Sequence, residues 1–451
     1  MPNVQKRAVN NGAVTNWDGD VARRFHARTN HSWESVRRGG RALDWRDKPH
    51  PYKEHPQLEP KPLLPELDRL LRLGAGVVRT RHGYDFRSYS SAGALYPVEI
   101  YAATAAGLFS FHARDCALVQ LRSEDVRRAL AEAAVAPELA RAGAVLVLTG
   151  ILWRTAWKYE ARGYRHLWWD AGTMLANLLA LEPAARVYTG FVDDRVNRLV
   201  GADGEREAAL AVVGVGSGED AASPGTLDPL EHEAAPVSAR ERAYRDAYEL
   251  HAASALQSPD DVRRYRAASA AGHAPAALPI DDLERVLCRR GSTRDFSQRP
   301  VARAELAALL DYALAAIPTD IQPETRIDVV AHAVDGVESG IYRYPTRDTF
   351  ELVRADNLRR LVGYLVLEQE LGERAAAVLF VLADLDRVLT AFGNRGYRAA
   401  QLEGGIRLGR IYLAATARGW GATGTTFYDE DISRALQTGA APMTAAAVGH
   451  R

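Results

Sequence analysis

Four short stretches hold the residues whose types and spacing could do chemistry. RSYSSAGALYP at 87–97 opens with Arg87 and sets Ser88, Ser90, Ser91, Ala92 and Gly93 directly before an apolar run, VEIYAAT. Small residues let the backbone approach a flat ring closely, and their N–H and hydroxyl groups can donate to ring heteroatoms. LCRRGSTRDFSQRPV at 287–301 spaces Arg290, Ser292, Arg294 and Phe296 at alternate positions. Guanidinium groups make charge-assisted, often bidentate bonds to a phosphate monoester, and a hydroxyl adds a short donor. GWGATGTTFYDEDI at 419–432 places Gly424, Thr425 and Thr426 where backbone N–H groups could reach a ligand closely. Lys158 and Tyr159, just before RGYR at 162–165, could hold or move a proton. Taken singly, each stretch also reads as a turn or a surface patch.

The elements that must position them come in two copies. GLFSFHARDCALV at 107–119 aligns with GIYRYPTRDTFEL at 340–352, and RGYRHLWWDAG at 162–172 aligns with RGYRAAQLEGG at 395–405, both at an offset of 233. Each copy predicts the same order: a helix, an apolar strand (VEIYAAT or RIDVVAHAV), a hairpin turning at HARD or PTRD, a helix, a very apolar strand (AVLVLTGIL or AAVLFVLADL) and a long helix after RGYR. Helices alternating with hairpins predict an α+β sandwich rather than a doubly wound sheet. The expected divisions are an extended arm at 1–60, a first copy at 61–216, a linker at 217–279 with a bridging helix near 239–256, and a second copy at 280–451.

The copies differ in what they kept. The first has the small-residue shelf but no Arg-Ser-Arg opening. The second has the opening, while at the same offset the shelf reads QPETRIDVV. These motifs resemble the nitroreductase-like superfamily, and the placement of Lys158-Tyr159 before RGYR is similar to its azoline-oxidising branch. The resemblance implies two tandem FMN-binding α+β sandwich domains forming an intramolecular pseudo-dimer. It implies one flavin site, with the phosphate on Arg290, Ser292 and Arg294, the ring on Arg87, Ser88 and Ser90–Gly93, and the 424–426 loop beside the pyrimidine. Arg451 is a further basic group for the phosphate. It also implies oxidation of thiazolines or oxazolines in a precursor peptide made ready by a cyclodehydratase. Tyr159 as a phenolate tuned by Lys158, or Lys158 itself, would be the base. Ala391 and Phe392 replace the pair in the second copy. Alternatives on the same fold are a nicotinamide-driven nitro- or quinone-reductase and a flavin-free binding subunit.

The remaining residues bound the reading. Lys+Arg and Asp+Glu both number 57, so nothing points to nucleic acid or an anionic membrane. The polar start and the lack of a long apolar run predict a cytoplasmic protein, possible as a homo-oligomer. The two cysteines, Cys116 and Cys288, are expected as buried small residues in a reducing compartment, and the twelve histidines have no metal spacing. Arg162, Tyr164 and Arg165 recur as Arg395, Tyr397 and Arg398, which marks them as structural. The Trp168-Trp169 pair is expected in the core or an interface.

Overall fold

The computed structural model describes residues 15–230, 233–269 and 280–451. Residues 1–14, 231–232 and 270–279, which belong to the expected arm and linker, lie outside the described residues.

Two sheets carry the chain. The first contains β1 (Pro60–Pro62), β4 (Val98–Thr104), β5 (Gly107–His112), β6 (Ala117–Arg122), β7 (Ala144–Ile151), β8 (Arg186–Tyr188) and β9 (Glu207–Val215), in the order β1-β6-β5-β4-β7-β9-β8. A separate hairpin pairs β2 (Val77–Arg81) with β3 (Tyr84–Arg87). The second sheet contains β10 (Arg326–Ala331), β11 (Gly340–Tyr344), β12 (Glu351–Ala355), β13 (Ala377–Ala383), β14 (Gly421–Thr425) and β15 (Ala441–Gly449), in the order β12-β11-β10-β13-β15-β14. The two orders match strand for strand, except that β1 has no counterpart. Every residue of β7 and β13 is buried, because helices cover both faces of each sheet.

The helices that matter for the site are α1 (Asp20–Thr29), α2 (Leu152–Tyr159), α3 (Gly163–Leu181), α4 (Asp193–Val200), α5 (Pro259–Ala267), α6 (Leu385–Phe392), α7 (Asn394–Ala417) and α8 (Asp429–Ala435). The arm is therefore helical at 20–29 and runs extended only later, ending as β1 on the edge of β6. Prolines suit that edge position because no inward N–H is needed.

The long helices α3 and α7 cross at two repeat-related glycines. A Cβ on Gly172 would lie 2.5 Å from Gly405 backbone, and one on Gly405 would lie 2.6 Å from the Trp169 carbonyl oxygen. The RGYR motifs lock this crossing. Arg162 and Arg165 reach Asp429 at 2.8 and 2.6 Å, at the start of α8 in the other copy. Arg395 and Arg398 reach Asp193 at 2.6 and 2.9 Å, at the start of α4. All six side chains are buried. The repeat is thus a pair of reciprocal clamps across an internal pseudo-twofold.

The offset of 233 does not hold throughout. Tyr101 faces Val147 in the register where Asp328 faces Phe380. The β4–β5 connection is a tight turn, whereas 332–339 joins β10 to β11. The extra residues there put QPETRIDVV out of register with the shelf, whose structural counterpart is 317–320. The cysteines also differ from expectation. Both are free and half-buried rather than buried, and Cys116 occupies a turn with φ +48°. Among the described residues no helix is long and apolar enough to cross a membrane, and no cluster of His, Cys, Asp or Glu is placed to hold a metal.

Candidate active site

A cavity of about 310 Å³ opens between the copies, within the range of small-molecule and cofactor sites. The first copy contributes Ser90–Gly93, Lys158 and Tyr159 from the end of α2, and His166, Trp169, Asp170 and Thr173 from α3. The second contributes Ser292, Arg294, Gln369, Leu408, Tyr412, Thr444 and the 424–426 segment. Gly424 and Thr425 lie in β14 rather than in a loop, and Thr426 follows it.

The shelf is held from below. Ser91 Oγ donates to Asp170 at 2.5 Å, and the Ala92 N–H donates to the same carboxylate at 3.0 Å. Thr173 Oγ1 donates to the Ser90 carbonyl at 2.5 Å. Gly93 takes φ +65°, a left-handed conformation that favours glycine. Space is tight there too: a Cβ would sit 3.1 Å from Tyr159 Oη and 3.4 Å from Lys158 Nζ.

Lys158 and Tyr159 are the last two residues of α2. Glu160 follows at φ +51° and breaks α2, so the adjacent residues escape the rule that neighbours on a helix face apart. Lys158 is exposed, and its Nζ lies 5.4 Å from the Tyr159 ring centroid. The Tyr159 hydroxyl is pushed up by burial and then by Asp170, against a smaller opposing effect from Arg294. Burial thus favours the phenol of Tyr159 over the phenolate expected from tuning by Lys158. Asp170 is raised to about 7 by burial, despite the bonds from Ser91 and Ala92.

Four expected binding residues stand outside the cavity wall. Arg290 crosses from the second copy to brace the shelf from behind. Its guanidinium donates to the carbonyls of Ser88 and Tyr89 at 2.8 Å and of Arg87 at 3.0 Å. Arg87 is buried, donating to the Pro51 carbonyl at 2.6 Å, and Ser88 is buried beside it. Arg451 is exposed, two residues past the end of β15. Arg294, by contrast, lines the cavity and forms no ion pair among the described residues, as does Lys158. Ser292 Oγ lies 2.9 Å from Tyr412 Oη, which accepts from the Gly424 N–H at 2.6 Å.

The equivalent position in the other half is closed. The Val187 N–H donates to the Pro318 carbonyl at 2.8 Å and the Asp320 N–H returns to Val187 at 3.1 Å, so β8 pairs directly with the shelf counterpart. Asp320 also accepts from Thr189 and Gly190 N–H groups at 2.8 and 2.9 Å and from Arg266 at 2.9 Å. The linker helix α5 adds Val262 and Tyr265 to an apolar cluster with Phe392, Ala399 and Met443. One cavity of the pair is open and the other is filled.

Residues 287–450 match the Nitroreductase family. A crystal structure of a nitroreductase-like protein from Anabaena variabilis superposes with TM-score 0.77 at 25% identity, over 95% of this chain and 99% of that one. The fold is that of tandem nitroreductase-like domains. The long match extends the likeness to the paired arrangement and not to one nitroreductase-like domain alone. A nitroreductase-like protein of Methanocaldococcus jannaschii is 29% identical over 186 residues, which is 38% of this chain and 91% of that protein. The E. coli microcin synthetase McbBCD complex with truncated pro-MccB17 gives TM-score 0.32 over 48% of this chain, too low to bear on function. The family match and the Anabaena and Methanocaldococcus proteins support an oxidoreductase.

Asp170 and His166 are the functional candidates that motif reading passed over. The signal was present in the repeat: RGYRHLWWDAG places His166 and Asp170 where RGYRAAQLEGG has Ala399 and Glu403. Arg162, Arg165 and Trp168 are buried. Trp169 reaches the cavity and donates to Gln401 of the other copy at 2.6 Å.

Proposed function

We propose that this chain is an FMN-dependent dehydrogenase that oxidises thiazoline or oxazoline rings of a ribosomally made peptide to thiazoles or oxazoles in the cytoplasm. The observation that carries the reading is the convergence of Lys158 and Tyr159 on Gly93, in a cavity walled by both copies. The wall suits FMN: a small-residue shelf for the ring, and an unpaired Arg294 with the Ser292 hydroxyl for the phosphate. The Thr426 hydroxyl is buried there without a partner among the described residues. Arg290 sets the shelf rather than the phosphate. When bound, FMN supplies the two-electron acceptor for hydride, with dioxygen as the final oxidant.

The oxidation removes one proton and one hydride from adjacent ring carbons and leaves a carbon–carbon double bond between them. The proton goes to the Lys158–Tyr159 pair. Burial and Asp170 hold Tyr159 as a phenol, so the acceptor role falls to Lys158, and Tyr159 orients the ring by donating a hydrogen bond. A cyclodehydratase, which closes side chains onto the backbone, must supply the substrate.

The test is the mass of an azoline peptide before and after incubation with loaded protein in air. A loss of about 2 Da per ring is expected for removal of two hydrogens. An unchanged peptide, together with rapid flavin reduction by NAD(P)H and turnover of a nitroarene, would replace this reading with the reductase one.

A further inference from the structure

His166 sits one helical turn before Asp170 on α3, in the cavity wall, and is 4% exposed. Its ring stacks on Tyr159 with centroids 4.1 Å apart and meets Trp169 edge-on at 4.5 Å. Both ring nitrogens are buried and neither has a hydrogen-bond partner among the described residues. Buried polar atoms are normally satisfied, so a pair left open at the wall of a cavity points to a ligand that completes them. The second copy supplies a control: Ala399 stands at the aligned position, where the cavity is filled.

We infer that His166 is a substrate-contacting residue, whose ring offers one N–H donor and one lone pair to the heteroatoms of the azoline and its flanking amide. The inference rests on the azoline reading of this site. The surroundings keep the ring in the form that can do both. Burial lowers its pKa well below the ordinary value, as do Arg162, His31, Arg165 and Lys158. A neutral imidazole donates on one nitrogen and accepts on the other, whereas the charged form only donates. Stacking on Tyr159 fixes the ring plane beside the group that orients the reacting ring. A site built to hydrogen-bond its substrate discriminates strongly against analogues that lack the partner atoms.

The test compares His166→Phe, which keeps a stacked ring and removes both nitrogens, with His166→Gln, which restores a donor and an acceptor. FMN content is read first, then kcat and KM for an azoline peptide. Expected are wild-type loading, a kcat/KM reduced roughly 10–100-fold in H166F, and partial recovery in H166Q. In wild-type protein labelled with nitrogen-15 at histidine, the His166 signals, assigned by their loss in H166F, should shift when azole product peptide is added. Loaded H166F with wild-type kcat/KM would overturn the inference, leaving His166 as packing. Lost loading with an unchanged kcat/KM of the loaded fraction would also overturn it, making His166 a cofactor contact. Wild-type protein that loads FMN but neither oxidises azoline nor binds azole peptide overturns the underlying reading, a result distinct from indifferent variants of an active enzyme.

Discussion

Lys158 and Tyr159 are neighbours in sequence, but the proposed function gives them different work. Lys158→Ala should keep FMN and fold and lower azole formation by about 10²–10⁴-fold, the usual contribution of a general base. Tyr159→Phe should be the milder change. Because burial and Asp170 raise the phenol, a phenolate base would give a rate still climbing above the ordinary tyrosine range; the pH–rate profile of Y159F should instead keep the wild-type alkaline limb. The reverse ranking of the two variants would make Tyr159 the base. Asp170 has its own pH signature. Its native pKa is about 7 against an ordinary 3.8, so between those values the native state holds a proton that the unfolded chain has released. Its stabilising contribution is full below about pH 4 and is lost as pH rises through about 7. In urea titrations, Asp170→Asn should therefore gain on wild type as pH rises across that window. A gap between the two proteins that is constant with pH would refute the raised carboxyl.

The elements that carry these residues are tied by the RGYR clamps and the glycine crossing. Asp429→Ala would leave Arg162 and Arg165 buried without their counter-charge. Breaking a buried pair on one side costs about 3–5 kcal/mol, so urea unfolding should show a loss of that order, and Asp193→Ala should match it from the other side of the pseudo-twofold. Much at this scale was legible in the sequence. Two matches at one offset located the copies, and apolar strands and hairpin turns located β4–β7 and β10–β13, because period and turn chemistry are local. The recurrence of Arg162 and Arg165 marked them as structural, but not what they hold, since Asp429 is far along the chain. Arg290 was read as a phosphate ligand because its type fits one. Only packing shows that its Nε and Nη2 N–H groups are spent on shelf carbonyls. The β10–β11 insertion misaligned the shelf for a similar reason: loops lengthen without changing the pattern on either side.

At the scale of the whole chain, two copies of one fold have come to share an open cavity between them. The first supplies the shelf, Lys158, Tyr159 and Asp170; the second supplies Ser292, Arg294 and β14. Linker helix α5 was not anticipated, since its value lies in Val262 and Tyr265 filling a space that a sequence does not display. It makes the two halves unequal, because Tyr265 and Phe392 pack with ring centroids 5.6 Å apart in the cluster beside the closed pairing of β8 with 317–320. Flavin released per polypeptide from fully loaded protein, set against Arg294→Ala, tests this directly. The account predicts one FMN per chain, with R294A poorly loaded and partly rescued by excess FMN. Two FMN per chain, or no flavin bound by the wild-type protein at saturating FMN, would contradict it.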